Sequence, residues 1–552
     1  MIRSSHRPAR QRPGYVLLAV LLIVVVLSLA AYRYADSMGT EYRASLRNID
    51  AVQAKAHAVS GVHYAAGMLA DPSSLYGELG GNPYDTSTFA GVHIGPSNGP
   101  RGGGRFSLIN LSDRGGSGAD RYPLRYGVSD EAGKINVNAL IASDTTGTQL
   151  YNALLALPDM TPTIADCIVD WVDGNSSPRS MGAEESDYAG LAQPYHGKNG
   201  PINSLEELLL VKGVTPQLLF GSDRNRNGVQ DPGEDDGGAF SRGWSEYLTC
   251  YGRDVNVDST GMPRFNINDT NLQTLSTNLT SLVGQPLSDY IIYFRLTGTS
   301  QTAGTAGTTA VIAGPDQLRA LVDKAIQAGS QPKRKISSML TVFGTEIQLP
   351  ATAAAPMPGP PGRAPPPTIV PCPLNDVNVL KQMLPLLMDK SSTVADYELA
   401  PRVNVNTAPR EVLLGLASIN GKAIVNSSTA SSSTTGSSTT TSTSTATPTG
   451  LTEADVDSII AGRDGQSASD TATLTGAWMV TAANIDPVKF KTIEPFITGR
   501  TYTYRVHSVG YFANGGPVSR VEAVIDTTLG KPRILYFREL TDLGRGFTNL
   551  PK

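Results

Sequence analysis

Only three cysteines occur in 552 residues, Cys167, Cys250 and Cys372, and no two stand in CxxC spacing. That excludes a disulfide framework or a cysteine zinc site and leaves buried free thiols as the plain expectation. Catalytic signatures are equally scarce. The chain contains no HExxH and no G-x-x-x-x-G-K-[ST], so nothing points to a zinc peptidase or a phosphate loop. An enzyme is not expected. A basic surplus is missing as well. The formal charge is −4, and Arg3, Arg7, Arg10 and Arg12 lie within fourteen acid-free leading residues, so the remainder is more acidic still. Such a balance offers no general attraction to nucleic acid, whose binding rests on neutralised phosphates.

What the chain does have is an uncharged apolar run from Tyr15 to Ala31. Seventeen helical residues reach about 25 Å, close to the roughly 30 Å of a hydrocarbon core. Tyr32 and Tyr34 supply interfacial rings, and the arginines ahead of the run keep the N-terminus cytoplasmic and send the rest across. A cleaved signal peptide would end in a small-residue A-x-A site; here the run passes directly into Tyr32-Arg33-Tyr34. Apolar residues then continue at steps of three and four from Ala35 through Met38, Tyr42, Leu46, Ile49, Val52, Ala56, Val59, Val62 and Ala66 to Leu69. The period predicts one helix over 15–69, roughly 80 Å long, lipid-facing at first and packed on a globular head later.

Beyond a Gly/Pro-rich connection (71–104), alternating patterns predict strands at 105–111, 124–138, 501–513, 517–526 and 532–540. Strands so widely separated imply one small antiparallel sheet, from 70–140 and 500–545, with an inserted domain over 141–499. The insertion reads as helical and repetitive. Asn136-Val-Asn138, Asn266-Ile-Asn268 and Asn404-Val-Asn406 each precede a helix-like segment, and the repeated Asn suits the capping of helix starts. The Ala/Pro-rich stretch 351–371 predicts an extended linker, and the Ser/Thr tract 426–449 a disordered loop. The fold class expected is α+β.

Residues 223–234, DRNRNGVQDPGE, carry an oxygen-rich spacing. Asp223, Asn225 and Asn227 stand at loop positions 1, 3 and 5, Gly228 at 6, the Val229 carbonyl at 7, Asp231 at 9 and Glu234 at 12. This spacing wraps hard oxygens around one Ca2+. The blander reading is a solvated acidic turn. A second acidic segment holds Asp170, Asp173, Glu184, Glu185 and Asp187, which by itself reads as an ordinary solvated loop.

The basic leader ending in Gly14 before a long apolar helix resembles the type IV pilin and pseudopilin class. That resemblance implies cleavage of the Gly14–Tyr15 bond by prepilin peptidase. Most members carry Glu at the fifth mature position, where this chain has Ala19; the lack is typical of the large minor subunit at a filament tip. DEAGKINVNAL (130–140), DWVDGNSSPRSMGAEESDY (170–188), PINSLEELLLVKGV (201–214) and VNVNTAPREVLL (403–414) resemble the minor pseudopilin K family of type II secretion. The middle Asn-x-Asn copy, the two low-complexity stretches and the loop 223–234 depart from it. The resemblance implies a single-pass inner-membrane protein with a periplasmic bulk, capping the pseudopilus tip and initiating its assembly. It implies other minor pseudopilins, the major pseudopilin and the inner membrane as partners, with secreted cargo a further candidate, and it favours Ca2+ in the second acidic segment. Two alternatives remain at this point: a minor pilin of a type IV pilus, and a membrane-anchored DNA-uptake receptor, since the Asn-x-Asn repeats are also similar to helix-hairpin-helix modules.

Overall fold

The computed structural model describes residues 14–95, 101–112, 124–234, 240–297, 301–302, 311–350, 367–419, 450–547 and 550–551. The basic residues ahead of Gly14, the Ser/Thr tract and residues 351–366 of the Pro-rich stretch lie outside the described residues.

Helix α1 runs unbroken from Tyr15 to Ala70. Its N-terminal apolar stretch is exposed along its whole length, and among the described residues it is the one helix long and apolar enough to cross a membrane. The final turns change character. Ala54, Ala58, Gly61, Val62, Ala65, Ala66, Met68 and Leu69 are buried, and they lie on an antiparallel sheet. That sheet has the order β1-β2-β5-β6-β7, from β1 (Val92–Ile94), β2 (Gly104–Asn110), β5 (Thr503–Phe512), β6 (Ser519–Asp526) and β7 (Arg533–Glu539); β3 (Arg125–Tyr126) pairs with β2 and β4 (Ser129–Asp130) with β5. β2 and β5 are adjacent in space although almost four hundred residues separate them, with Ile109 opposite His507 and Gly104 opposite Phe512.

Small residues let α1 approach the sheet. A Cβ on Gly510 would fall 2.1 Å from the Ala54 carbonyl oxygen and 2.3 Å from the Ala58 nitrogen. Around this contact Val62, Ala65, Phe106, Leu108, Val506, Val521 and Ile525 close a core. Gly510→Ala should therefore force helix and sheet apart and lower stability by about 1–3 kcal/mol, as overpacking does. Gly67→Ala is the contrast. Nothing lies within 4 Å of a Cβ there, so the helix gains up to about 1 kcal/mol of propensity. Thermal melts of both variants check this pair.

Part of the other face of the sheet is covered by a C-terminal strap, residues 541–547 and 550–551, and part by the insertion. Phe547 packs with Ile109, Leu111, Val509 and Tyr511, and the Tyr511 hydroxyl donates to the Pro551 carbonyl at 2.7 Å.

The insertion consists of three copies of one unit, which share a continuous core. Each Asn-x-Asn starts on a two-residue strand paired in parallel with a short strand closing the same copy: 135–136 with 248–249, 265–266 with 391–392, and 403–404 with 497–498. The second Asn does the same work each time. Asn138 Nδ2 donates to the carbonyls of Ile202 and Cys250, Asn268 to those of Ile336 and Thr393, and Asn406 to those of Thr473 and Gly499. Its Oδ1 accepts the Ile202 amide, the Ile336 amide and the Trp478 indole respectively. Only the first Asn of the first copy caps a helix as expected, Asn136 Oδ1 accepting from the Ala139 amide.

Two expectations change. The strand expected over 124–138 is broken into three short pieces, the last of which (Ile135–Asn136) leaves the sheet to open the first copy. The end of the expected linker is ordered: Thr368–Pro371 pairs antiparallel with Thr345–Gln348 and parallel with Val311–Ile312. Apolar Ile369 and Val370, with β-propensity, interrupt the Ala/Pro composition there.

Candidate metal centres

The loop 223–234 folds inward on its own oxygens. Gly228 takes φ +70, a left-handed conformation that glycine adopts without strain. The Asp223 carboxylate accepts from the amides of Asn227 (3.0 Å) and Gly228 (2.8 Å). Glu234 closes the loop, Oε1 accepting from the amides of Arg224 and Asn225 and Oε2 from that of Asp231. Asp231 Oδ2 accepts from the side-chain amides of Asn225 (2.6 Å) and Asn227 (2.7 Å). Asp223, Asn227 and Glu234 are buried, whereas Val229 is exposed. Burial pushes the Asp223 carboxyl above its ordinary range, against the pull of Arg242, whose guanidinium stands 3.7 Å away. Asn225, Asn227 and Asp231 thus meet side chain to side chain, while Asp223 and Glu234 hold the backbone amides of the same loop.

The second segment divides. Asp170, Asp173 and Glu184 are buried. Asp170 hangs from the end of helix Pro162–Val172 and accepts from the Arg179 amide at 3.1–3.2 Å. A Cβ on Gly182 would fall 1.6 Å from its Oδ2, so glycine is needed for the loop to pass. Asp173 holds the backbone and side-chain amides of Asn175. Both Glu184 oxygens are buried and make no close hydrogen bond, with only the Asn199 side chain and the Glu185 amide near enough to favour the charged form weakly. Burial, followed by the charges of Asp173, Glu184 and Asp166, pushes the Asp170 carboxyl up to about 6; burial and Asp173 raise Glu184. Glu185 and Asp187 point elsewhere. Glu185 bonds exposed His196 (2.6 Å) and the Gly197 amide, and Asp187 pairs with Lys212 at 2.8 Å. Helix Glu185–Ala189 begins immediately after Glu184, which turns the next side chains away.

Among the described residues, no three carboxylate, imidazole or thiol groups are gathered closely enough to form a metal cluster by themselves. A calcium loop also draws on amide and carbonyl oxygens, and the set at 223–234 has that chemistry. The weakly held Glu184 and its mutually repelling neighbours are the corresponding observation at the second segment, since a buried carboxylate without close partners is costly.

Sequence spacing did not disclose the groups that hold the first loop in place. The Arg520 guanidinium on β6 donates to the carbonyls of Asn225 (3.0 Å) and Arg226 (2.6 Å). Asn227 Nδ2 donates to the Gly546 carbonyl at 2.6 Å, and Arg242 donates to the Leu111 carbonyl.

Residues 133–220 match the family model described as type II secretion system, protein K. A type II secretion system protein K of Pectobacterium carotovorum subsp. carotovorum is 26% identical over 224 residues, 38% of this chain and 60% of the relative. A protein of that description in Escherichia coli (strain K12) is 30% identical over 110 residues, 18% of this chain and 34% of the relative. The matched stretches therefore span between a third and three-fifths of these relatives. Among solved structures, a chain of the GspK-GspI-GspJ complex from the type 2 secretion system of enterotoxigenic Escherichia coli aligns over 92% of this chain and 99% of its own. Its sequence identity is 11% and its TM-score 0.31.

Proposed function

We propose that this chain is a member of the protein K family of type II secretion, to which residues 133–220 and both relatives point, and that it is a minor pseudopilin that caps the pseudopilus tip and initiates assembly with other minor pseudopilins. The observation that carries this reading is α1. Its first turns expose an unbroken apolar surface suited to a single membrane anchor, and its last turns pack on the sheet. The bulk of the chain then lies on the periplasmic side, since the arginines before the anchor favour the cytoplasm.

Ala19 supports the tip position. A carboxylate buried in an apolar helix bundle needs a partner, and a subunit with no neighbour above it has none to offer. Prepilin peptidase would cut the Gly14–Tyr15 bond. Mass spectrometry of the mature chain should find Tyr15 at the N-terminus, and a start beyond Ala31 would end the pseudopilin reading. Ala19→Glu should bring no gain in assembly. Detection of the subunit along the whole filament would remove the tip assignment.

Ca2+ is the proposed cofactor. Asp223, Asn225, Asn227, the Val229 carbonyl, Asp231 and Glu234 would hold one ion, and Asp170, Asp173 and Glu184 would contribute to a second. The bound ion would neutralise carboxylates that otherwise repel across a few ångströms. An ion that binds only the folded state adds about 2.7 kcal/mol at a hundredfold excess over its dissociation constant. Chelation should therefore lower the melting temperature, and Asp223→Ala should remove part of that response, with the second segment keeping the rest. Identical melting in calcium and in chelator, with no ion by elemental analysis, would exclude the cofactor.

A further inference from the structure

We infer that the loop 223–234 is a calcium-dependent fastener between the insertion and the sheet, with Arg520 and the C-terminal strap as its receiving half. The inference rests on the calcium reading above and adds to it a mechanical consequence.

The loop belongs to the first copy of the insertion, yet its closest polar contacts are to the sheet and strap. Arg520 is a buried residue of β6. Its guanidinium reaches the carbonyls of Asn225, Arg226 and, at 3.4 Å, Gly544, bridging loop and strap with one rigid fork. Asn227, a proposed ligand, donates its side-chain amide to Gly546. A Cβ on Gly228 would fall 2.7 Å from Leu111, the residue following β2 by one position, so the turn is pressed against the sheet side. The next strap residue, Phe547, lies beneath Arg520, 5.5 Å from guanidinium carbon to ring centre. Every contact on the receiving side thus falls on the segment 225–228, inside the ligand set.

An ion that fixes the side-chain oxygens of Asn225 and Asn227 fixes the same two residues that Arg520 and the strap grip through other atoms. Linkage then runs both ways: ion binding favours strap docking, and strap docking favours ion binding by the same factor. Simple electrostatics predicts the reverse for one variant. Arg520 is a cation beside the carboxylates, and its removal alone should tighten Ca2+ binding. Coupling predicts that Arg520→Gln weakens it.

The test is hydrogen exchange on the full chain in detergent, with Ca2+ or chelator, alongside Ca2+ titration of the wild type and Arg520→Gln. With Ca2+, amides of both 224–234 and 541–547 should exchange more slowly. In Arg520→Gln the strap response should disappear and Ca2+ affinity fall roughly five-fold or more. Should Arg520→Gln not fold, the wild-type exchange decides by itself. Protection of the loop without any change in the strap overturns the inference and leaves the calcium reading standing, as does unchanged or tighter Ca2+ binding by a folded Arg520→Gln. Absence of both Ca2+ binding and loop protection overturns the two together.

Discussion

Arg505→Met should lower the stability of the chain by about 3–5 kcal/mol, the loss expected when one member of a buried ion cluster is removed. Arg505 on β5 donates from Nε to Glu131 at 2.9 Å and from Nη2 at 2.5 Å, and also to Glu522 on β6. Thr249 and Lys134 complete the shell around Glu131. Glu131 lies where the sheet gives way to the insertion, and Thr249 lies where the first copy closes. The cluster therefore ties three parts of the chain at one buried point. Methionine fills much of the volume but leaves two buried carboxylates facing each other.

The pH dependence of this variant identifies the cause. In the native chain Arg505 holds the Glu131 carboxyl far below its usual range and the Glu522 carboxyl at about 2, in both cases against burial. Carboxyls with lowered folded values contribute stability that is present above the unfolded value of about 4.3 and lost as pH falls through about 2. Without Arg505 burial dominates, the folded values rise above 4.3, and the sign reverses. Arg505→Met should then recover stability as pH is lowered from 7 towards 5, while the native chain does not. Denaturant titrations at pH 7 and pH 5 check both slopes, and a loss under 1 kcal/mol at pH 7 would show that the cluster is incidental.

The helix and the C-terminal strands were legible because their signals are local: a period of 3.6 over Tyr15–Leu69, and alternation over 501–540. The pairing of β2 with β5 was not, as no local pattern states which strand receives Phe106. The metal loop divides in the same way. Its ligand spacing is contained in twelve residues, whereas Arg520 and Gly546 lie about three hundred residues away. At the second segment, sequence could not separate Asp170, Asp173 and Glu184, which converge, from Glu185 and Asp187, which a helix start rotates outward. The ion cluster at Arg505 left no motif at all, since Glu131, Glu522 and Thr249 meet only in the fold.

The Asn-x-Asn repeat was visible as a pattern but its chemistry was only partly readable. Capping accounts for Asn136, yet the second Asn of each copy bonds carbonyls 64–125 residues away in the first two copies and 67–93 in the third. A carboxamide is the side chain that gives two N–H donors and one acceptor from a single planar group, which explains why Asn stands there three times. Replacement by alanine leaves two carbonyls and one N–H without their partner. At partly buried positions that should cost about 2–3 kcal/mol, and Asn406→Ala should be the most severe because the orphaned donor is the indole of fully buried Trp478. Asn→Asp should be worse than Asn→Ala at all three positions. The carboxylate has no donors, and it would aim a charge at two carbonyl oxygens. Equilibrium unfolding of Asn138, Asn268 and Asn406 variants, alanine and aspartate at each, gives six values. The Asn268 pair should follow the order and size of the Asn138 pair, because the bonding is the same. An Asn268→Asp variant as stable as the parent would show that these carboxamide bonds do not hold the middle copy together.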